Sequence, residues 1–199
     1  MARVTWEAIR KALAGRNPVP IRHCTGRAAV AIVLRDGPSG IEVLFIHRAE
    51  HPEDPWSGHM AFPGGRAEDA EPPLLTAIRE SAEEVGLDLE RAEHIGALDE
   101  LQAVRRVPVD LAIAPFVFRV PESAEPRPNH EVRAVCWLPL EDLMGERFRS
   151  TYDYVEADGV LRFPCFRVDD KVIWGLTYRM FGELAARVRQ SLNQDEAAP

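Results

Sequence analysis

The chain has 199 residues, 46% of them hydrophobic and 28% charged, with a net charge of −8. This is enough for one domain with a substantial core. The acidic balance excludes a generic basic surface for nucleic acid but not a small anionic ligand, because a bound divalent cation inverts the local field.

Residues 1–26 are expected to form a helix and an extended arm. Val4, Trp6, Ile9 and Leu13 give the first fifteen residues an amphipathic pattern that packs on the domain. There is no apolar stretch of the kind a signal peptide needs. Pro18 and Pro20 keep 17–25 extended. The domain itself is predicted over 27–189. Arg27–Leu34 (RAAVAIVL) reads as a buried strand, and Ile41–His47 as its hairpin partner across Asp36-Gly37 and Ser39-Gly40. A charged, proline-containing loop over Glu50–Ser57 precedes a short strand at His59–Phe62. A helix is predicted over Pro73–Val85, with Pro72 and Pro73 at its start and Gly86 at its end. Strands follow at His94–Asp99, Leu111–Arg119 and Val132–Leu138, with a proline-rich connection at Pro121–Asn129 and a helical turn at Leu140–Met144. Tyr152–Glu156 and Leu161–Phe166 read as a second hairpin around Asp158-Gly159. Leu176, Met180, Leu184 and Val188 predict a closing helix that starts at Trp174 or Thr177, and 190–199 a frayed tail. No run approaches the roughly 20 apolar residues of a membrane span. Cys24, Cys136 and Cys165 lie far apart, which speaks against a zinc site or disulfide framework and for a reducing cytoplasm.

The chemistry concentrates between Gly65 and Leu87. Glu80, Glu83 and Glu84 are spaced i, i+3 and i+4, so a helix brings them together. Like charges at that spacing repel, and such a cluster points to a hard cation, Mg²⁺ or Mn²⁺. At roughly 100° per residue, Leu74, Leu75, Ile78, Ala82 and Val85 fall in one arc and the three glutamates in another. The glutamates are therefore expected on the polar side of the helix.

Gly65, five residues, Glu71, seven residues and then Arg79-Glu80-Ser81-Ala82-Glu83-Glu84-Val85-Gly86-Leu87 resembles the signature of the Nudix hydrolases. Ser81 departs from it, since the family has an apolar residue there. Phe62-Pro63-Gly64-Gly65 is similar to the family's lead into the signature. The resemblance implies an α/β fold, a Nudix-type α/β/α sandwich with a mixed sheet. It implies metal-dependent hydrolysis of a nucleoside diphosphate-linked compound, with Mg²⁺ or Mn²⁺ as cofactor. Carried over by position, Glu80 and Glu84 are metal ligands, Glu83 completes the acidic site directly or through water, and the carbonyl near Gly65 is a further ligand. Arg79 orients a glutamate of the signature, and Glu71 stabilises the junction of loop and helix. The general base is either Glu80 or Glu131, which resembles the late glutamate of some Nudix enzymes.

Leu44-Phe45-Ile46-His47-Arg48-Ala49, followed by Gly58 and Phe62-Pro63-Gly64-Gly65, resembles the extra motif of coenzyme A pyrophosphatases. Phe163-Pro164 and Ile173-Trp174-Gly175-Leu176-Thr177 are also similar to that subfamily. Asp54 stands where the motif has an arginine. Arg48, Arg66, Arg105 or Arg106 would then meet phosphate, and Arg48, Arg66 and Phe62 are the candidate substrate contacts. Trp56 either packs its loop or stacks on a base; His47 and His59 receive no role. The substrate implied is coenzyme A or acyl-coenzyme A, with ADP-ribose or a dinucleotide such as NADH as the alternative. A non-catalytic nucleotide-sensing module is the alternative of another class, and retention of Arg79, Glu80, Glu83 and Glu84 argues against it. Neither nucleic acid nor membrane is expected as a partner, and oligomeric state is left open.

Overall fold

β1 (Gly26–Gly37) is apolar on both faces because both are covered. Ala29, Ala31 and Val33 point into one buried cluster, while Ala28, Ile32 and Leu34 point into another. The computed structural model describes residues 3–51, 57–103, 110–156 and 159–196. Among these, eight strands form a mixed sheet in the order β3-β2-β1-β7-β5, with β4 on β1, β6 on β7 and β8 on β2. The partners are β2 (Gly40–Arg48), β3 (Met60–Ala61), β4 (Gly64–Arg66), β5 (Glu93–Ala97), β6 (Leu101–Ala103), β7 (Leu111–Arg119) and β8 (Val132–Pro139). β1 and β7 run parallel from Gly26↔Leu111 to Leu34↔Arg119; the other pairings are antiparallel.

The split between β1 and β2 positions the site. The two strands pair only near their turn, from Leu34↔Val43 to Gly37↔Gly40. Beyond that they diverge, and the chain from Met60 to Arg66 fills the gap. β3 joins β2 through Ile46↔Ala61 and His47↔Met60, and β4 joins β1 through Ala28↔Arg66, Ala29↔Gly65 and Val30↔Gly64.

α2 (Pro73–Val85) covers one face of the sheet. α1 (Trp6–Leu13) and α4 (Gly175–Glu196) cover the other, where Ile9 and Leu13 share a core with Phe181, Leu184 and Val188. This is the expected α/β/α layering. Thr5 caps α1, its hydroxyl oxygen accepting the N–H of Ala8 at 3.1 Å. α3 (Leu140–Met144) follows β8 directly. A second sheet of β9 (Arg149–Glu156), β10 (Gly159–Val168) and β11 (Lys171–Trp174) leads into α4. Among the described residues no helix is long and apolar enough to cross a membrane.

Two expectations change. The tail expected to fray from Gln190 is helical to Glu196, because Ser191 and Leu192 are buried. The buried arc of α2 is turned by roughly 100°, about one residue step. Leu75 is 49% exposed and Ala82 is exposed, whereas Thr76, Ala77, Ser81, Glu84 and Val85 are buried. The buried hydroxyl of Ser81 donates to the carbonyl of Ala77 at 2.8 Å, so this polar residue is satisfied within its own helix.

Candidate active site

α2 begins at Pro73, whose missing N–H costs nothing in the first turn. It ends at Gly86, in the left-handed region with φ 66°, where the N–H reaches back to Ala82. Between these ends the helix presents its acids to the turn formed by Gly64 and Gly65.

Glu84 is 2% exposed, so it does not lie on the polar side. One carboxylate oxygen accepts the N–H of Gly64 at 2.8 Å, and the other accepts Arg48 Nη1 at 3.2 Å. Burial pushes its carboxyl up to about 7, against the opposing pull of Gly64 and Arg48. Burial also raises Glu80, with Arg79 pulling the other way. The charges of Glu80 and Glu131 raise Glu84 further.

Arg79 holds the acids together. Its Nε and Nη2 fork onto the two oxygens of Glu71 at 3.1 and 3.0 Å. Nη1 reaches Glu80 at 3.0 Å and Glu83 at 3.1 Å, and Nη2 also donates to the carbonyl of Arg66 at 3.0 Å. The guanidinium, helped by the Thr76 hydroxyl, holds Glu71 down to about 2. Arg79 thus ties the turn to the helix.

The two glycines serve different needs. Gly64 has φ +154°, and a Cβ there would meet Val30 Cα at 2.6 Å and run into the carbonyl of Ala29. A Cβ on Gly65 would run into the carboxylate of Glu80. The backbone can approach Glu80 this closely only without a side chain.

Residues 25–158 match the NUDIX domain. The chain belongs to the Nudix family. It is 42% identical over 109 residues to an uncharacterised protein of Schizosaccharomyces pombe, covering 51% of this chain and 33% of that one. It is 28% identical to the chloroplastic Nudix hydrolase 22 of Arabidopsis thaliana (86% of this chain, 58% of that one) and 26% identical to an uncharacterised Nudix hydrolase, NudL, of Shigella flexneri (86% of each). The chain spans 33%, 58% and 62% of the length of three curated relatives it matches. Its fold is similar to that of a C. elegans Ap4A hydrolase solved as a binary complex, at a TM-score of 0.54 and 17% identity, covering 85% of this chain and 99% of that one. A MutT/nudix family protein from Enterococcus faecalis gives the same TM-score at 15% identity, covering 89% and 66%.

In this Nudix chain the donor chemistry of the acidic site fits a hard divalent cation: acceptor-only carboxylate oxygens, crowded enough to raise one another, beside a backbone left open at Gly65. Among the described residues, no three acidic, histidine or cysteine side chains are already gathered about one metal position. Their oxygens are instead turned onto Arg79, Arg48 and the N–H of Gly64. Glu80, Glu83 and Glu84 are the residues that could hold the ion, with the backbone of Gly65 against Glu80.

The expected substrate contacts fare differently. Phe62 is 2% exposed and stacks on Phe45 with ring centroids 4.9 Å apart, so it is a core residue beneath the turn and out of reach of a ligand. Arg48 is turned onto Glu84. Arg66 is exposed at the end of β4. Asp54, Trp56, Arg105 and Arg106 lie outside the described residues. His47 and Gly58 are joined by a hydrogen bond of 3.1 Å between the ring Nε2 and the carbonyl, and His59 lies edge-on to Trp174 at 5.2 Å. Glu131 is exposed; its N–H is held by Asn129 at 2.8 Å, and its carbonyl by the N–H of Ala49 at 2.7 Å. Sequence reasoning missed Asn129, which in Pro126-Arg127-Pro128-Asn129 carries only the signal of a loop.

Proposed function

We propose that this Nudix protein is a divalent-cation-dependent pyrophosphatase acting on a nucleoside diphosphate-linked compound. The substrate we favour is coenzyme A or acyl-coenzyme A, cleaved to 3′,5′-ADP and (acyl-)4′-phosphopantetheine. The observation that carries the reading is the seating of the Gly64-Gly65 turn against Glu80 and Glu84, with the N–H of Gly64 on one carboxylate and the backbone of Gly65 against the other. Bound Mg²⁺ or Mn²⁺ would neutralise the diphosphate and lower the pKa of an attacking water. Glu80 and Glu84 would hold the ion, Glu83 would assist, and Arg79 would keep Glu80 and Glu83 in place. Glu131 would accept the proton from water, with Glu80 as the alternative. Glu131 adds its negative field at both Glu80 and Glu84, which supports its nearness to them.

The coenzyme A reading is supported by Leu44–Ala49, Gly58 and Phe62–Gly65 in their spacing. ADP-ribose or a dinucleotide is the second reading, favoured by Asp54 in place of an arginine. The C. elegans neighbour is an Ap4A hydrolase by name, but a likeness at 17% identity supports the fold and not a substrate. The test is a hydrolysis panel of coenzyme A, acyl-coenzyme A, ADP-ribose, NADH and diadenosine polyphosphates, with Mg²⁺, with Mn²⁺ and with chelator, products identified by mass. Hydrolysis that survives exhaustive chelation sinks the metal reading. Faster turnover of ADP-ribose or NADH than of coenzyme A moves the substrate to the second reading.

A further inference from the structure

The connection at 121–131 is docked on the C-terminal end of α2. The N–H groups of Arg127 and Asn129 donate to the carbonyls of Val85 and Glu84 at 2.7 and 2.9 Å, occupying carbonyls that a helix end leaves unpaired. Gly86 lies against this segment: a Cβ there would sit 3.4 Å from that of Arg127, an ordinary contact. Asn129 then faces both ways. Its N–H is tied to the backbone of Glu84, while its side-chain Oδ1 accepts the N–H of Glu131 at 2.8 Å. Its carbonyl accepts the N–H of Val132 at 3.3 Å, closing a local turn of the kind asparagine favours.

We propose that Asn129 is a positioning residue that aims Glu131 at the reacting centre through its amide oxygen. The inference rests on the reading of Glu131 under the proposed function. The Glu131 side chain is 54% exposed and meets the exposed His130 ring at 3.9 Å, so core packing does not fix its direction. The backbone of Glu131 is held on two sides, by Asn129 Oδ1 at its N–H and by the N–H of Ala49 at its carbonyl, and the first of these ties it to Glu84 through a single residue. That amide oxygen is the tie on the side of the carboxylates that would hold the ion. Its loss leaves the N–H of Glu131 exposed to water, which costs little in stability. A displacement of about 1 Å at a reacting group nevertheless costs up to about 100-fold in rate.

The test compares N129A, N129S, E131Q and N129A/E131Q with Mn²⁺ and whichever of coenzyme A and ADP-ribose the wild type turns over faster. N129A keeps both backbone ties. We expect it to lower kcat about 10- to 100-fold with KM within about threefold. Its melting temperature and its Mn²⁺ affinity by calorimetry stay at wild-type values. N129S retains an acceptor oxygen and recovers most of the loss. In the E131Q background, N129A adds less than about twofold. Wild-type kcat in N129A beside an impaired E131Q overturns the positioning role alone. A full N129A loss on top of E131Q, or weakened Mn²⁺ binding in N129A, also overturns it, because Asn129 then acts on the fold or the metal position. Wild-type kcat in E131Q removes the role of Glu131 and that of Asn129 with it, leaving the pyrophosphatase reading intact. A wild type inactive on every substrate of the panel takes down both.

Discussion

Glu84 sits where a carboxylate is costly, buried beneath a turn, with one backbone N–H and one guanidinium as partners. Its native value of about 7 lies above the usual 4.5, so between these the metal-free folded state keeps a proton that the unfolded state has lost. This contribution is fully present below about pH 4.5 and disappears as pH rises through about 7. The melting temperature of chelated protein should therefore fall across that window, and Glu84→Gln, which cannot titrate, should flatten the fall. The same replacement should lower turnover by orders of magnitude while circular dichroism stays native. Metal affinity should run the other way and rise with pH, since the ligand must lose its proton to bind. At Gly65 the constraint is steric. Gly65→Ala leaves the backbone angles permissible but sets a methyl against the Glu80 carboxylate. Turnover should drop at least about 100-fold by displacement of that ligand, with a near-native melt; full activity would show that Glu80 needs no close backbone.

At the scale of elements, long apolar runs were readable, and among the strands of two to four residues only β3 was, within His59–Phe62. Arg27–Leu34, Ile41–His47, Leu111–Arg119 and Val132–Leu138 are strands where their patterns place them. β4 and β6 have three residues each, too few to show a period, and they exist because the split between β1 and β2 and the edge of β7 offer unpaired backbone. Arg79 reaches Glu83 one turn on, as helical spacing places it, and also Glu71 ahead of the helix, a contact the resemblance implied and helical spacing alone does not give. The facing of α2 was misread because contacts with the turn bury Glu84 while leaving Leu75 in solvent, which no periodicity records. Phe62 was misread for the same reason: an aromatic residue beside an active turn looks like a ligand contact until its stacking on Phe45 is known. Ser81 is buried in this helix and its hydroxyl bonds only within it among the described residues. Its hydroxyl adds a bond to a carbonyl that is already a helix acceptor, so Ser81→Ala should change unfolding free energy by less than about 1 kcal/mol in denaturant titration. A loss above about 2 kcal/mol would mean that the hydroxyl has a second partner.

For the molecule as a whole, the proposed substrate is a polyanion and the chain carries a net charge of −8. A cation held at the acidic site would invert the local field. Coenzyme A carries a 3′-phosphate that ADP-ribose lacks, and Asp54 stands in the motif where an arginine would meet it. We expect a modest preference for coenzyme A over 3′-dephospho-coenzyme A in kcat/KM. Asp54→Arg should enlarge it, since a charged hydrogen bond is worth about 1.5–3 kcal/mol. An unchanged ratio would detach Asp54 from that phosphate.

Arg79 has one more consequence. With Glu71, Glu80 and Glu83 gathered on a single guanidinium, the protein carries a tethered stand-in for the cation. An acidic pocket that depended on dissolved metal for its neutrality would come apart whenever supply fell. This one, held by Arg79, would keep its shape between visits of a proposed ion. Without the tether, that independence should vanish. In Arg79→Ala, the melting temperature should climb more steeply with Mg²⁺ concentration than in the wild type, because only the free ion is left to quiet the carboxylates. Parallel curves for the two proteins would show that the acids tolerate one another unaided.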